Sequence, residues 1–203
     1  MDKLVTDTTK FIDSVLRFVQ RELPVKAGRI AVDHFKENFI KEGFVNGGLN
    51  KWPPAKRLSS GSNSADAKHT TLMSSRNHLY NSIVSAPSTG KVTVYTDVIY
   101  APIHNEGGQI NIPITPKMRR FAWSRYYQLA GKSKLSMNGK KRGNATTSEN
   151  IPAEASKWKG LALTNKKSLT VNMPQRQFMG DSVELEKKID RVINNKIQEL
   201  LKL

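Results

Sequence analysis

Cysteine is absent from the 203-residue chain, which excludes a disulfide framework and every thiolate metal site. Long apolar runs are missing as well, and nothing approaches the ~20 residues that cross a bilayer. The opening residues, Met1-Asp2-Lys3-Leu4, lack a basic stretch followed by an apolar one, so no secretory leader is expected. A soluble protein made in the cytoplasm, without membrane contact, is the expectation.

The familiar signatures of catalysis are missing too. There is no Gly-x-Ser-x-Gly elbow, no glycine-rich phosphate loop ending in Lys-Thr, and no His-Glu-x-x-His pair. The four histidines, His34, His69, His78 and His104, have no metal-like spacing. No cofactor and no metal is expected.

Acidic residues are scarce: 17 Asp/Glu stand against 33 Lys/Arg, a net charge of +16. The imbalance is local. From Thr115 to Thr170 there are 13 Lys/Arg and only Glu149 and Glu154, so this stretch carries +11 of the total. Such a field attracts polyanions, with nucleic acid the first candidate; solubility or an acidic partner explains it equally well.

Apolar content is 37%, below the roughly 45–50% of ordinary globular chains. The chain therefore has enough for one core while some segments stay exposed. A length of 203 residues fits a single domain with elaborations.

Helical periodicity is clear from about Lys3 to Glu22, where Ile12, Val15, Leu16 and Val19 recur and Phe11 and Phe18 widen the stripe. Pro24 should end that helix or open the next, which runs from about Val25 to Lys41 and stops at Gly43. From Asn46 to His69 periodicity is lost, and 53–70 is expected to be a flexible loop pinned by Trp52.

Leu72, Leu79 and Ile83 suggest a short helical turn ending near Ala86-Pro87. Lys91 to Thr96 alternates as a strand, Val98 to Ile103 continues extended, and Gln109 to Thr115 is an edge strand. Pro116 to Leu129 is expected to be helical. A low-complexity basic insertion, about 117–157 in all, follows into 131–157 and suggests disorder. Leu161-Ala162-Leu163 and Ser168 to Met173 read as short strands. Asp181 or Ser182 should cap a last helix carrying Leu185, Ile189, Val192, Ile193, Ile197 and Leu200. The sum is an α+β fold: helices at both ends packed on a small antiparallel sheet, with an inserted helix and a basic loop.

Three constellations carry chemical interest. His104-Asn105-Glu106 offers a base and a carboxylate, yet without a nucleophile or metal cluster it reads first as a strand end and turn. Arg119-Arg120-Phe121-Ala122-Trp123-Ser124-Arg125-Tyr126-Tyr127 could stack bases and neutralise phosphates. An amphipathic helix with Phe121 and Tyr126 inward explains the same pattern. Lys117, Arg119, Arg120, Arg125, Lys140, Lys141 and Arg142 are the candidate contacts to DNA or to an acidic partner. The third, Met173 to Ser182, should stop a strand at Pro174, anchor Phe178 and Met179 in the core, and place Arg176 against carbonyls or a carboxylate.

Taken in order, several pieces resemble the phage virion morphogenesis family, the tail completion proteins of Mu-like and related phages. They are Trp52-Pro53, Leu79-Tyr80-Asn81-Ser82-Ile83, Val92-Thr93-Val94, Tyr100-Ala101-Pro102-Ile103-His104-Asn105-Glu106-Gly107-Gly108 and Pro174-Gln175-Arg176-Gln177-Phe178-Met179-Gly180-Asp181-Ser182. The likeness spans most of Phe35 to Leu201. It departs at Arg76-Asn77-His78, where the family often has a glycine, and in the longer basic region. The resemblance implies a structural, non-enzymatic subunit at the head–tail joint or tail end. Its partners would be other phage head–tail or tail proteins and copies of itself in a ring, with transient DNA contact, first in the host bacterial cytoplasm and then in the virion. It also implies that Trp52, Tyr100, His104, Gly107, Gly108, Pro174, Arg176, Phe178 and Gly180 build the scaffold. The rival reading from charge alone is a nucleic-acid-binding module using residues 115–170.

Overall fold

The computed structural model describes residues 2–58, 68–130 and 152–202. The chain forms an α+β fold with helices at both ends and small two-stranded sheets. It divides into two compact units, one of residues 1–108 with 173–203, the other of Gln109–Asn172.

In the first unit the chain opens with α1 (Asp2–Arg17), a π-helical turn (Phe18–Glu22) and α2 (Leu23–Lys41). Pro24 falls in the first turn of α2, one of the two places expected for it; the helical run continues into α2 without a break, and the wide turn is the accommodation. Proline has no N–H to give the carbonyl four residues back, and its ring crowds that carbonyl. The carbonyl concerned, Gln20 O, accepts instead from Gly90 N–H at 3.0 Å.

Helix α2 ends at Lys41, as expected, but the residue that turns the chain is Glu42 rather than Gly43. Glu42 takes the left-handed cap (φ 50°), and its carboxylate accepts from Thr71 N–H at 2.6 Å. Gly43 is needed for closeness: a Cβ there would lie 2.7 Å from Asn50 O. It starts β1 (Gly43–Val45), which pairs antiparallel with β2 (Leu49–Lys51). This hairpin occupies the start of the stretch read as aperiodic. Of the loop 53–70, residues 59–67 lie outside the described residues, and Arg57 ties its two sides by donating to Met73 O at 3.0 Å.

Next come α3 (His78–Asn81), β3 (Val84–Ser88) and β4 (Lys91–Tyr95), the strands joined as an antiparallel hairpin with Val84 opposite Tyr95 and Ser88 opposite Lys91. Ala86 and Pro87 therefore lie within a strand rather than ending a helix. Helix α2 rests on this hairpin through Gly28, where a Cβ would come 2.8 Å from Val92 Cγ2. The segment expected to stay extended after Val98 forms α4 (Ala101–Glu106). The first unit closes with α7 (Val183–Leu200), capped by Ser182, whose Oγ accepts from Leu185 N–H at 3.2 Å. The core gathers Phe35, Phe39, Trp52, Leu79, Ile83, Val98 and Phe178.

The second unit contains β5 (Gly108–Pro113) paired with β6 (Ser168–Met173), and two helices, α5 (Pro116–Leu129) and α6 (Ala153–Leu163). Leu161-Ala162-Leu163, expected as a strand, is the last turn of α6. The two helices approach through small residues, with Ala122 and Ala155 fully buried. Phe121 meets Trp158 edge-on at 5.7 Å. Thr115 caps α5 by accepting from Met118 N–H, and Pro116 takes the first turn, where its missing donor costs nothing. Part of the basic insertion is thus ordered as α5 and the start of α6.

Candidate functional site

The segment Pro174–Ser182 runs through the first unit as an irregular strip, and its middle, from Arg176 to Met179, is held by hydrogen bonds to its backbone groups. Arg176 N–H donates to His104 O at 2.7 Å. Trp52 Nε1 donates to Gln177 O at 2.7 Å, while the indole sits edge-on to Phe39 at 5.5 Å. Asn105 Oδ1 accepts from both Phe178 N–H (2.9 Å) and Met179 N–H (3.0 Å). Asn38, fully buried, donates through Nδ2 to Phe178 O at 3.1 Å and accepts from Val45 N–H at 3.1 Å. Phe178 fills the core against Phe39 at 5.1 Å. Backbone polar groups inside a core require such partners. Here side-chain amides from α2 and α4 stand in for a strand ladder.

Arg176 is buried and bonds to carbonyls rather than a carboxylate: Nε to Pro53 O at 2.8 Å and Nη2 to Pro54 O at 3.2 Å. Burial, then the Arg57 cation, pushes its pKa down. Gly107 holds φ 74° with ψ −171°, a region essentially restricted to glycine. A Cβ there would strike Gln175 N at 2.8 Å. Gly180 also has a positive φ, 152°. Ser182 Oγ donates to Val45 O at 2.8 Å, and Glu184 accepts from Gly47 and Gly48 N–H at 3.1 and 3.2 Å. The strip is thereby sewn to the β1–β2 hairpin at its far end.

His104 lies in α4, not at a strand end. Its Nδ1 is buried without a hydrogen-bond partner, and its ring meets Tyr100 edge-on at 5.8 Å. Burial lowers its pKa, and the Arg176 cation lowers it further. Glu106 is exposed and lines a shallow open pocket of about 380 Å³ whose other groups include Asp97, Asn105, Val98 and Phe178. His104 is not among those lining residues, so base and carboxylate do not converge. Among the described residues no group of three His, Asp or Glu side chains is placed to hold a metal ion.

The expected scaffold residues therefore fall into two sets. Trp52, His104, Gly107, Pro174, Arg176, Phe178 and Gly180 belong to the strip and its supports. Tyr100 is 45% exposed and begins α4 from outside the core, while Gly108 opens β5. Asn38 and Asn105, which hold the most strip contacts, were not singled out from sequence. Asn38 had a signal: a polar residue between Phe35 and Phe39 on an apolar helix face. Asn105 was overshadowed by its ionisable neighbours.

The basic candidates also separate. Lys117 and Arg120 are exposed on α5. Arg119 is half-buried and donates to the carbonyls that end α6, Ala162 O at 3.2 Å and Thr164 O. Arg125 Nη1 donates to Gln128 Oε1 at 3.1 Å. Lys140, Lys141 and Arg142 lie outside the described residues. Phe121, expected inward, is 55% exposed, whereas Tyr126 is buried as expected. Comparison of the chain with protein-family models, with curated proteins and with solved structures finds no match.

Proposed function

We propose that the chain is a structural subunit of a phage or prophage virion. On this reading it acts at the head–tail joint or tail end and works through subunit contacts rather than catalysis. The observation that carries the proposal is the apolar surface left on the two terminal helices. Phe18 is buried, but Ile12 (50%) and Leu16 (48%) on α1 and Val19 (45%) in the π-helical turn after it face solvent, as does Ile197 (44%) on α7.

On α1, Thr9, Ile12 and Leu16 follow at spacings of three and four, as along the seam of two packed helices, and Val19 extends the stripe into the π-helical turn. Covering the exposed halves of such side chains contributes about 1 kcal/mol each. Repeated around a closing set of head-to-tail contacts, the same face would build a ring. The sequence resemblance adds the phage assignment; of its pieces, Trp52, His104 to Gly107 and Pro174 to Ser182 meet at the strip. Partners would then be head–tail or tail proteins and further copies of the chain, met in the host bacterial cytoplasm and kept in the virion.

The test is deletion of the gene from the replicon that carries it, followed by electron microscopy of the particles. Unjoined heads and tails, or unfinished tails, are expected. Complete infectious particles would overturn the proposal.

A further inference from the structure

We propose that the outer face of α5 binds single-stranded nucleic acid without sequence preference, its cations on phosphates and its exposed rings on bases. The charge boundary seen in the sequence coincides with a boundary of the fold. The second unit, Gln109–Asn172, holds 13 Lys/Arg against two acidic residues, whereas the rest of the chain holds 20 against 15. Among the described residues of that unit, eight Lys/Arg stand against Glu154 alone.

The geometry of α5 sets out what that body presents. Ala122 and Tyr126 are buried, and Arg119 is engaged with the end of α6. The opposite face carries Lys117, Arg120, Ser124 and Tyr127, at helical steps of three, four and three. All four are exposed. Phe121 flanks this face, 55% exposed, and Tyr127 is 43% exposed. Both rings are braced, Phe121 edge-on to Trp158 and Tyr127 stacked on Trp123 at 5.7 Å with planes 21° apart.

A platform of fixed rings between cations suits unpaired bases, which stack on any aromatic face. A duplex hides its bases and would leave the rings idle. An acidic peptide would use the cations and have no need of flat apolar faces. The proposal does not rest on the assembly reading, because a chain that never forms rings would still bind a strand.

The experiment uses the full chain, fluorescence anisotropy and three probes: oligo(dT), a duplex of equal length, and heparin as a polyanion without bases. Oligo(dT) is expected to bind most tightly and to quench tryptophan emission, while heparin binds without quenching. Phe121→Leu with Tyr127→Leu should weaken oligo(dT) by about fivefold or more and leave heparin unchanged. Lys117→Gln with Arg120→Gln should weaken both and reduce the salt slope for oligo(dT) by about 1.4, at ~0.7 per phosphate. Circular dichroism checks that each variant is folded, and quenching in the unaltered chain needs no variant. Equal affinity for duplex or heparin with no effect of the ring substitutions would overturn the stacking platform. No binding to any probe at low salt would overturn the proposal entirely and point to an acidic protein partner.

Discussion

Replacing Asn105 by alanine removes one oxygen and strands two amides. Asn105 Oδ1 accepts from Phe178 and Met179 N–H, and both lie on the strip that anchors Phe178 in the core. An unsatisfied buried donor costs about 1–3 kcal/mol. The site is only partly buried, which favours the lower end for each, so the pair should cost about 2–3 kcal/mol. Asn105→Asp keeps an acceptor oxygen in place and should cost less than half as much. His104→Ala, one residue away, removes a ring whose Nδ1 has no partner, and should cost less than Asn105→Ala. Urea unfolding measures the difference. With a slope of about 2 kcal/mol per molar, Asn105→Ala should lower the midpoint by about 1–1.5 M. The chain has three tryptophans, so a Trp123→Phe, Trp158→Phe background leaves Trp52, hydrogen-bonded to the strip itself, as the reporter. If His104→Ala proves the more damaging of the two, the account of the strip as amide-held is wrong.

Three further outcomes follow from the same contacts. His34 is almost wholly buried; burial first, then the Lys188 cation, lowers its pKa, with Glu37, the Val45 backbone and Glu184 opposing. The unfolded chain takes up the proton more readily, so stability is full above about pH 6.5 and falls as pH drops below it. Urea midpoints should therefore decrease from about pH 7 to about pH 5, and less steeply in His34→Leu; parallel slopes would refute this. Gly107→Ala puts a Cβ against Gln175 N and demands a glycine-only conformation, so it should destabilise by about 3 kcal/mol or more. Gly47→Ala, also at positive φ but with open space around it, should cost about 1 kcal/mol, as thermal melts can compare. Arg119→Ala strips donors from the carbonyls ending α6 and should lower the stability of the second unit by about 1–2 kcal/mol. Arg120→Ala should stay within about 0.5 kcal/mol, with Trp158 emission as the probe for both.

Periodicity made the terminal helices and α5 legible, because a 3.6-residue repeat of apolar residues survives in any context. What it could not convey was how Pro24 would be absorbed. A proline in a helical pattern ends it or distorts it, and the choice depended on Gly90, 66 positions away in sequence, supplying a donor to the freed Gln20 carbonyl. Leu161-Ala162-Leu163 misled for a related reason. Three apolar residues fit either period, and the deciding contact is the burial of Ala162 beside α5 together with Arg119 on its carbonyl. The His104 region was read by its ionisable residues, which draw attention, while the oxygen that does most to hold the strip belongs to neutral Asn105. Amide partners leave no charge pattern to find.

That distinction bears on where function lies in this chain. The pieces that carry the family resemblance lie mainly in the first unit, and the strip among them is fixed by backbone partners and core rings. A substitution there changes whether the chain folds before it changes what the chain does. The uncovered stripe Ile12, Leu16 and Val19 and the cationic face of α5 have the opposite character: both are exposed, and neither is required to complete the core. Glu at Ile12 and Leu16 should therefore leave the urea midpoint of the first unit nearly unchanged while removing self-association in sedimentation velocity runs. If the midpoint falls as far as it does for Asn105→Ala, the stripe belongs to the monomer's own packing, and the subunit-contact reading loses its main support.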